Sequence, residues 1–314
     1  MPKVLFSLTP MLLGLLWVTV SARQAVEPQG KLVVVNGSHL WYRIAGQGTP
    51  LLLIPGGPGS SHTYFYPGLE RLADSFQIIF FDAFGRGQSD RAKNPREYSL
   101  DRDIEDIEGL RKALGFGKIA VYGHSYGGVV AQGYALRYPQ SLSRLILANT
   151  CHSAEMWQKG CNDNWNNEIQ NQYPEVWAEL QQVRANGSVT GDPEYQKVQG
   201  RVPLCLLYFY DPSNSNLTVD TNLDVFRQIA GPDAGIVLGG DLASMDFRSR
   251  LRGIQVPTLV LAGRFDRVAI PRFSVQFRTF MPRAQFVLFE KSGHLPFVEE
   301  PELHDAIVRT FLGN

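Results

Sequence analysis

Short runs of apolar residues recur along this chain, and their spacing limits what it can fold into. Leu51 to Ile54 is unbroken Leu-Leu-Leu-Ile, and Gln77 to Phe81 and Ile119 to Tyr122 are nearly as apolar. Leu142 to Ala148, Thr258 to Ala262 and Ala284 to Phe289 follow the same pattern. Runs of this length are strands, and strands that are apolar at almost every position are buried on both faces. Helical segments fall between them. Leu100 to Leu114 follows Ser99, which is placed to cap it, and Val129 to Tyr138 is stopped by Pro139. Phe273 to Phe280 and Glu302 to Phe311 repeat the beat near the C-terminus. Ahead of the first buried run, Lys31 to Val35 and Leu40 to Ile44 flank Asn36-Gly37, a hairpin signal. The pattern predicts an α/β fold with a mostly parallel central sheet covered by helices on both faces.

The beat lapses between residues 151 and 250, which are rich in Asn, Gln, Trp and Tyr. Ile169, Tyr173, Val176, Leu180 and Val183 mark the stripe of an amphipathic helix, or of two joined at Pro174. The expected organisation is therefore a catalytic core over 23–150 and 251–314, with a mainly helical cap inserted over 151–250.

Residues 1–22 read as a secretory signal peptide: Lys3, then the uncharged stretch Val4 to Val20, then the small residues of Val20-Ser21-Ala22. The expectation is a secreted or periplasmic protein with no membrane span after signal removal; an uncleaved anchor is the alternative. Export would permit a disulfide, and Cys151 and Cys161 could staple the start of the cap, leaving Cys205 over. No cysteine has a partner at zinc spacing, so no metal or cofactor is expected. Asn36, Asn186 and Asn216 begin glycosylation sequons. Lys plus Arg and Asp plus Glu each number 30, and this balance argues against nucleic acid as a partner.

The chemistry gathers at strand ends. Gly123-His124-Ser125-Tyr126-Gly127 is a G-x-S-x-G segment between an apolar strand and a helix, the setting of a nucleophile elbow. Serine needs a base, and the base an orienting carboxylate, in the chain order Ser, acid, His. His294 alone among the histidines follows the last strand, and Asp266 follows the one before it. Asp82 also ends a strand but precedes the serine, and is expected to fix the turn Ala83 to Gly87. Asn149 ends the strand after the nucleophile helix but is an amide. Pro55-Gly56-Gly57-Pro58-Gly59 follows the strand Leu51 to Ile54, and no Gly-Lys-Ser/Thr follows to make it a phosphate loop. Gly57 and Tyr126 are its candidate oxyanion donors, since Pro58 has no N–H.

Together these segments resemble the α/β-hydrolase superfamily, and within it the proline iminopeptidase-like branch. The resemblance rests on Pro55 to Gly59, Asp82 to Ser89, Gly123 to Gly128, Gly263-Arg264-Phe265-Asp266 and Gly293-His294. It implies a serine hydrolase acting through an acyl-enzyme on a small molecule or short peptide, most naturally as an aminopeptidase. An esterase or lactonase is the runner-up, and an inert ligand-binding homologue the reading from another class. Two residues depart from the branch: Pro55 stands where it carries His, and Arg267 follows the acid where some members carry a Glu that holds the substrate ammonium. Cap acids such as Glu155 or Glu168, with Trp157 in an aromatic wall, are the substitute candidates for substrate binding.

Overall fold

The structure is a computed structural model and describes residues 29–203, 205–214 and 219–313. The leader at 1–22 and the sequon at Asn216 lie outside the described residues.

The eight strands form one sheet in the order β1-β2-β4-β3-β5-β6-β7-β8. They are β1 (Lys31–Val35), β2 (Ser38–Ala45), β3 (Pro50–Ile54), β4 (Gln77–Phe81), β5 (Ile119–His124), β6 (Leu142–Ala148), β7 (Thr258–Gly263) and β8 (Gln285–Phe289). The hairpin β1–β2 and the β2–β4 pair are antiparallel; every pairing from β4 to β8 is parallel. Side chains alternate across the strands, so each buried run feeds two cores. Leu52, Ile54, Val121, Leu145 and Leu147 pack toward the helices α1 (Leu100–Ala113) and α2 (Tyr126–Arg137). Leu51, Leu53, Ala120, Tyr122, Ile146 and Ala148 pack toward the C-terminal helix Pro301–Leu312 through Val308 and Phe311. This two-sided burial is why these strands lack a polar face.

Two helices depart from the periodic reading. α2 begins at Tyr126, three residues before the apolar stripe, because the chain turns sharply into it at Ser125. Phe273 to Phe280 is two single turns, Pro271–Ser274 and Phe277–Phe280, rather than one helix. Ser274 Oγ donates to the Ala269 carbonyl at 3.0 Å, a local bond that competes with helix continuation.

Between β6 and β7 the chain runs through mostly helical structure. Asp163–Gln172 and Pro174–Ala185 are two helices broken at Pro174, and Ile169 and Leu180 of the stripe are buried with Trp165, Tyr195 and Val198 in a separate small core. Ser61 N donates to the Asp220 carbonyl at 3.0 Å, and Asn222 N to the Gly59 carbonyl at 2.9 Å. These bonds tie this segment to the glycine turn after β3.

One buried ion pair ties α1 to the site. Arg86 donates two bonds of 2.6 Å to Asp103, and the Tyr126 hydroxyl donates to the same carboxylate at 2.7 Å. Both charged side chains are almost fully enclosed. Asp103→Ala would strand the guanidinium in the interior, so urea unfolding should show a loss of about 3–5 kcal/mol. Glu179→Ala breaks the exposed Arg201–Glu179 pair, and the same measurement should show less than about 1 kcal/mol.

Candidate active site

Four loops converge where β3, β5, β7 and β8 end. The first is the turn after β5. Ser125 has φ 56° and ψ −125°, a conformation that non-glycine residues rarely adopt. The glycines around it make the turn possible. A Cβ on Gly127 would lie 2.0 Å from the Ile54 carbonyl oxygen, and one on Gly123 would lie 2.4 Å from that of Gly127. The turn is pinned by Ser125 N donating to the Ala148 carbonyl at 3.0 Å and by Thr150 Oγ1 donating to the Ser125 carbonyl at 2.6 Å. The Tyr126 amide opens α2 and gains the partial positive charge of a helix N-terminus.

The second loop is the glycine turn. Its Gly56 amide donates to the Tyr64 hydroxyl at 2.6 Å. A Cβ at Gly56 would sit 2.8 Å from Ser125 Cβ, so the turn's backbone lies directly on the serine side chain. Gly57, with φ 114°, carries the next amide.

A third loop, after β7, carries Asp266, and a fourth, after β8, carries His294. Its Nδ1 donates to Asp266 Oδ2 at 2.9 Å, and both side chains are buried. Asp266 Oδ2 also accepts from Asn149 Nδ2 at 2.9 Å, while Oδ1 accepts the Val268 and Ala269 amides at 2.8 Å each. Burial opposes ionisation of Asp266, but the His294 ring, Asn149 and the Ala269 amide outweigh it and hold the carboxyl below its usual range. An ionised carboxylate can only accept, so the proton of the His294 ring is placed on Nδ1. The His294 amide donates to the Tyr208 carbonyl at 2.6 Å, fastening the loop to the segment between β6 and β7.

The structure brings some of the sequence candidates together and separates others. Ser125, Tyr126, Gly57, Asp266 and His294 all lie on these loops. Glu168 and Arg267 line one cleft with Trp165, Tyr173 and Leu206. Glu155 is not brought to the site. Its carboxylate is exposed and bonded to Lys159 and Arg248, at 2.8 Å each, because it follows the cap Ser153 on a surface turn. Trp157 is buried with Met156 and Cys151 in the main core. Asp82 accepts from the His62 ring at 2.8 Å and from the Gln88 amide at 2.9 Å, so it braces its own turn. Cys151, Cys161 and Cys205 are free thiols rather than a bridged pair and one over. Burial pushes Cys161 up to about 12 and raises Cys151 as well, which opposes the thiolate that disulfide formation needs. Sequence reasoning passed over Asn149 as a mere amide and missed Tyr64 altogether; both contacts join residues far apart in the chain. Among the described residues no three His, Cys, Asp or Glu side chains gather as metal ligands, and no helix is long and apolar enough to cross a membrane.

A family model for the alpha/beta hydrolase fold matches residues 49–301, and the chain belongs to that family. Within it the likeness runs to the proline iminopeptidase branch. The chain is 30% identical over 281 residues to the proline iminopeptidase of Heyndrickxia coagulans, covering 86% of this chain and 92% of that protein. It is also 30% identical to that of Clostridioides difficile, covering 88% and 95%. Among solved structures, the proline iminopeptidase of Mycobacterium smegmatis superposes with a TM-score of 0.72 at 23% identity, covering 90% of this chain and 97% of that one. An esterase from Exiguobacterium antarcticum gives 0.66 at 22% identity, covering 91% and 100%. The protein is thus an enzyme of the hydrolase class.

The contact between Gly56 and Ser125 generates a prediction. Gly56→Ala should displace the serine side chain and slow labelling by a fluorophosphonate at least about tenfold. Gly253→Ala, where a Cβ would meet open space, should label at the wild-type rate.

Proposed function

We propose that this chain is an exported serine hydrolase of the proline iminopeptidase kind, removing the N-terminal residue of short peptides or small amides. The observation that carries this reading is the buried Asp266–His294 hydrogen bond on the loops that close around the Ser125 turn. Ser125 Oγ attacks the scissile carbonyl carbon while His294 Nε2 takes its proton. The carbonyl oxygen becomes an oxyanion facing the Gly57 and Tyr126 amides. His294 then hands the proton to the departing amine nitrogen as the C–N bond breaks. A water attacks the acyl-enzyme, again through His294, and restores Ser125. Asp266 stays ionised throughout and stabilises the imidazolium. The leader at residues 1–22 supports export, and the composition change at 151 and 250 supports a cap over a core of 23–150 and 251–314.

One observation favours the esterase alternative. Arg267 is half-buried beside the site, donates to the Leu206 carbonyl at 2.7 Å, and has no carboxylate partner among the described residues. A cation there disfavours an ammonium substrate unless Glu168, across the same cleft, offsets it.

Ser125→Ala should abolish turnover with the fold intact, a loss of at least about 10⁴-fold. Asp266→Asn should lower kcat on the order of 10⁴-fold with little change in KM, because an amide can favour the wrong imidazole tautomer. If Asp266→Asn is benign and Asp82→Asn is inactive, the acid is misassigned. Steady-state kinetics on prolyl p-nitroanilide and its N-acetyl counterpart test the substrate class. Acetylation should abolish turnover; equal rates on both, or ester cleavage alone, would select the esterase.

A further inference from the structure

The catalytic assignment leaves two buried polar side chains unused, Tyr64 and His124, and they form one chain of hydrogen bonds with the loops of the site. Gly56 N donates to the Tyr64 hydroxyl at 2.6 Å. Tyr64 and His124 Nδ1 are 2.9 Å apart, and His124 Nε2 is 2.8 Å from the His294 carbonyl oxygen. For a neutral imidazole the two ends settle the direction of every bond. An amide can only donate and a carbonyl can only accept. Tyr64 therefore accepts from Gly56 and donates to His124 Nδ1, and the His124 proton sits on Nε2, where it serves His294.

We propose that Tyr64 and His124 are positioning residues that hold the glycine turn, the nucleophile turn and the His294 loop in one fixed arrangement, with His124 as a neutral Nε2–H tautomer. The proposal rests on the reading of Ser125, His294 and Asp266 as the catalytic groups. His124 precedes Ser125 directly, so the ring that bonds to the His294 loop, and through Tyr64 to the glycine turn, is joined covalently to the nucleophile. Loss of this strut leaves the glycine turn and the nucleophile turn to their packing, such as Gly56 against Ser125. A displacement of about 1 Å between them would cost on the order of 10²-fold in rate.

Neutrality belongs to the device. A proton on Nδ1 would leave two donors facing the Tyr64 oxygen and its own hydroxyl hydrogen without an acceptor. It would also place a cation beside His294, whose ring centroid is 4.7 Å away. The groups around His124 are Tyr64, Phe65, Phe297, His294 and, further off, His304 and the Asp266 carboxylate. Burial, with His294 next, pushes His124 down to about 3.

The test uses the full chain, p-nitrophenyl acetate, a fluorophosphonate titrant and histidine ¹⁵N NMR. Tyr64→Phe keeps the ring and removes the hydroxyl. It should lower kcat per titrated site roughly 10- to 100-fold with KM within about threefold of wild type. An unchanged kcat per titrated site, even with a lower Tm, would reduce Tyr64 to packing and overturn the proposal. His124→Gln can still present an N–H to the His294 carbonyl and should retain more activity than His124→Leu; equal losses would also overturn it. In the wild-type spectrum His124 should stay neutral and Nε2-protonated from about pH 4 to pH 8, and a Nδ1-protonated ring or a titration within that range would refute the strut without any activity measurement. Ser125→Ala in the same assay separates the two claims, since activity in that variant sinks the catalytic assignment alone.

Discussion

The geometry of the site depends on the backbone that Ser125 is made to adopt. A serine at φ 56° and ψ −125° costs about 1–3 kcal/mol and persists only where its surroundings over-determine it. Here β5 supplies that constraint. It is buried along its whole length and hydrogen-bonded to β3 on one side and β6 on the other, so the strand cannot shift to relieve the turn. α2 cannot back away either, since Gly127 lies against the Ile54 carbonyl and Gly128 against Thr150. The strain is therefore held by the most rigid part of the molecule. The same close approach that demands glycine at 123 and 127 brings the Tyr126 amide and the Gly56-Gly57 turn to the serine.

A histidine beside an aspartate is not by itself a catalytic signature in this chain. Among the described residues His39–Asp90, His62–Asp82, His294–Asp266 and His304–Asp305 all make such contacts, at 3.0, 2.8, 2.9 and 3.1 Å. Surroundings separate them. His39 is exposed on the hairpin. His62 is fully enclosed and stacked on Trp41 with ring centroids 3.9 Å apart. His304 lies under the sheet against Tyr122. His62 and His294 both follow the C-terminal ends of parallel strands, where ligands of open α/β sheets bind, but only His294 is bonded, through its carbonyl, to His124 next to Ser125. Topology narrows the four pairs to two, and the link to the Ser125 turn separates those.

Most of the sheet was legible because its strands are buried on both faces and leave unbroken apolar runs. The α1 boundary was legible because Ser99 caps it, its Oγ accepting the Arg102 amide at 3.0 Å. The start of α2 was obscured because Gly127 and Gly128 carry no side chain to extend its apolar stripe. In the site, Ser125, Asp266 and His294 could be picked out as polar residues just past strand ends. Tyr64 and Asn149 could not, because their meaning lies in contacts with His124 and Asp266, across 60 and 117 positions of sequence. Glu155 misled because an acid in the cap looks the same whether it faces a pocket or an exposed arginine.

These contacts leave few charged groups in the interior around the site. Burial keeps Tyr64 protonated, holds Tyr208 up at about 12, and does the same for the Cys161 thiol. His124 is neutral, and the Arg86–Asp103 pair behind Tyr126 cancels itself. Asp266 is held below its usual range by the His294 ring first, then by the Asn149 side chain and the Ala269 amide. In the proposed mechanism Asp266 faces the imidazolium formed as the Ser125 proton moves to His294. On that reading the carboxylate would gain most as the imidazolium forms, which would favour the transition state over the ground state. A second cation near His294 would undo that difference. The neutral His124 therefore matters as much to the electrostatics of the site as to its geometry.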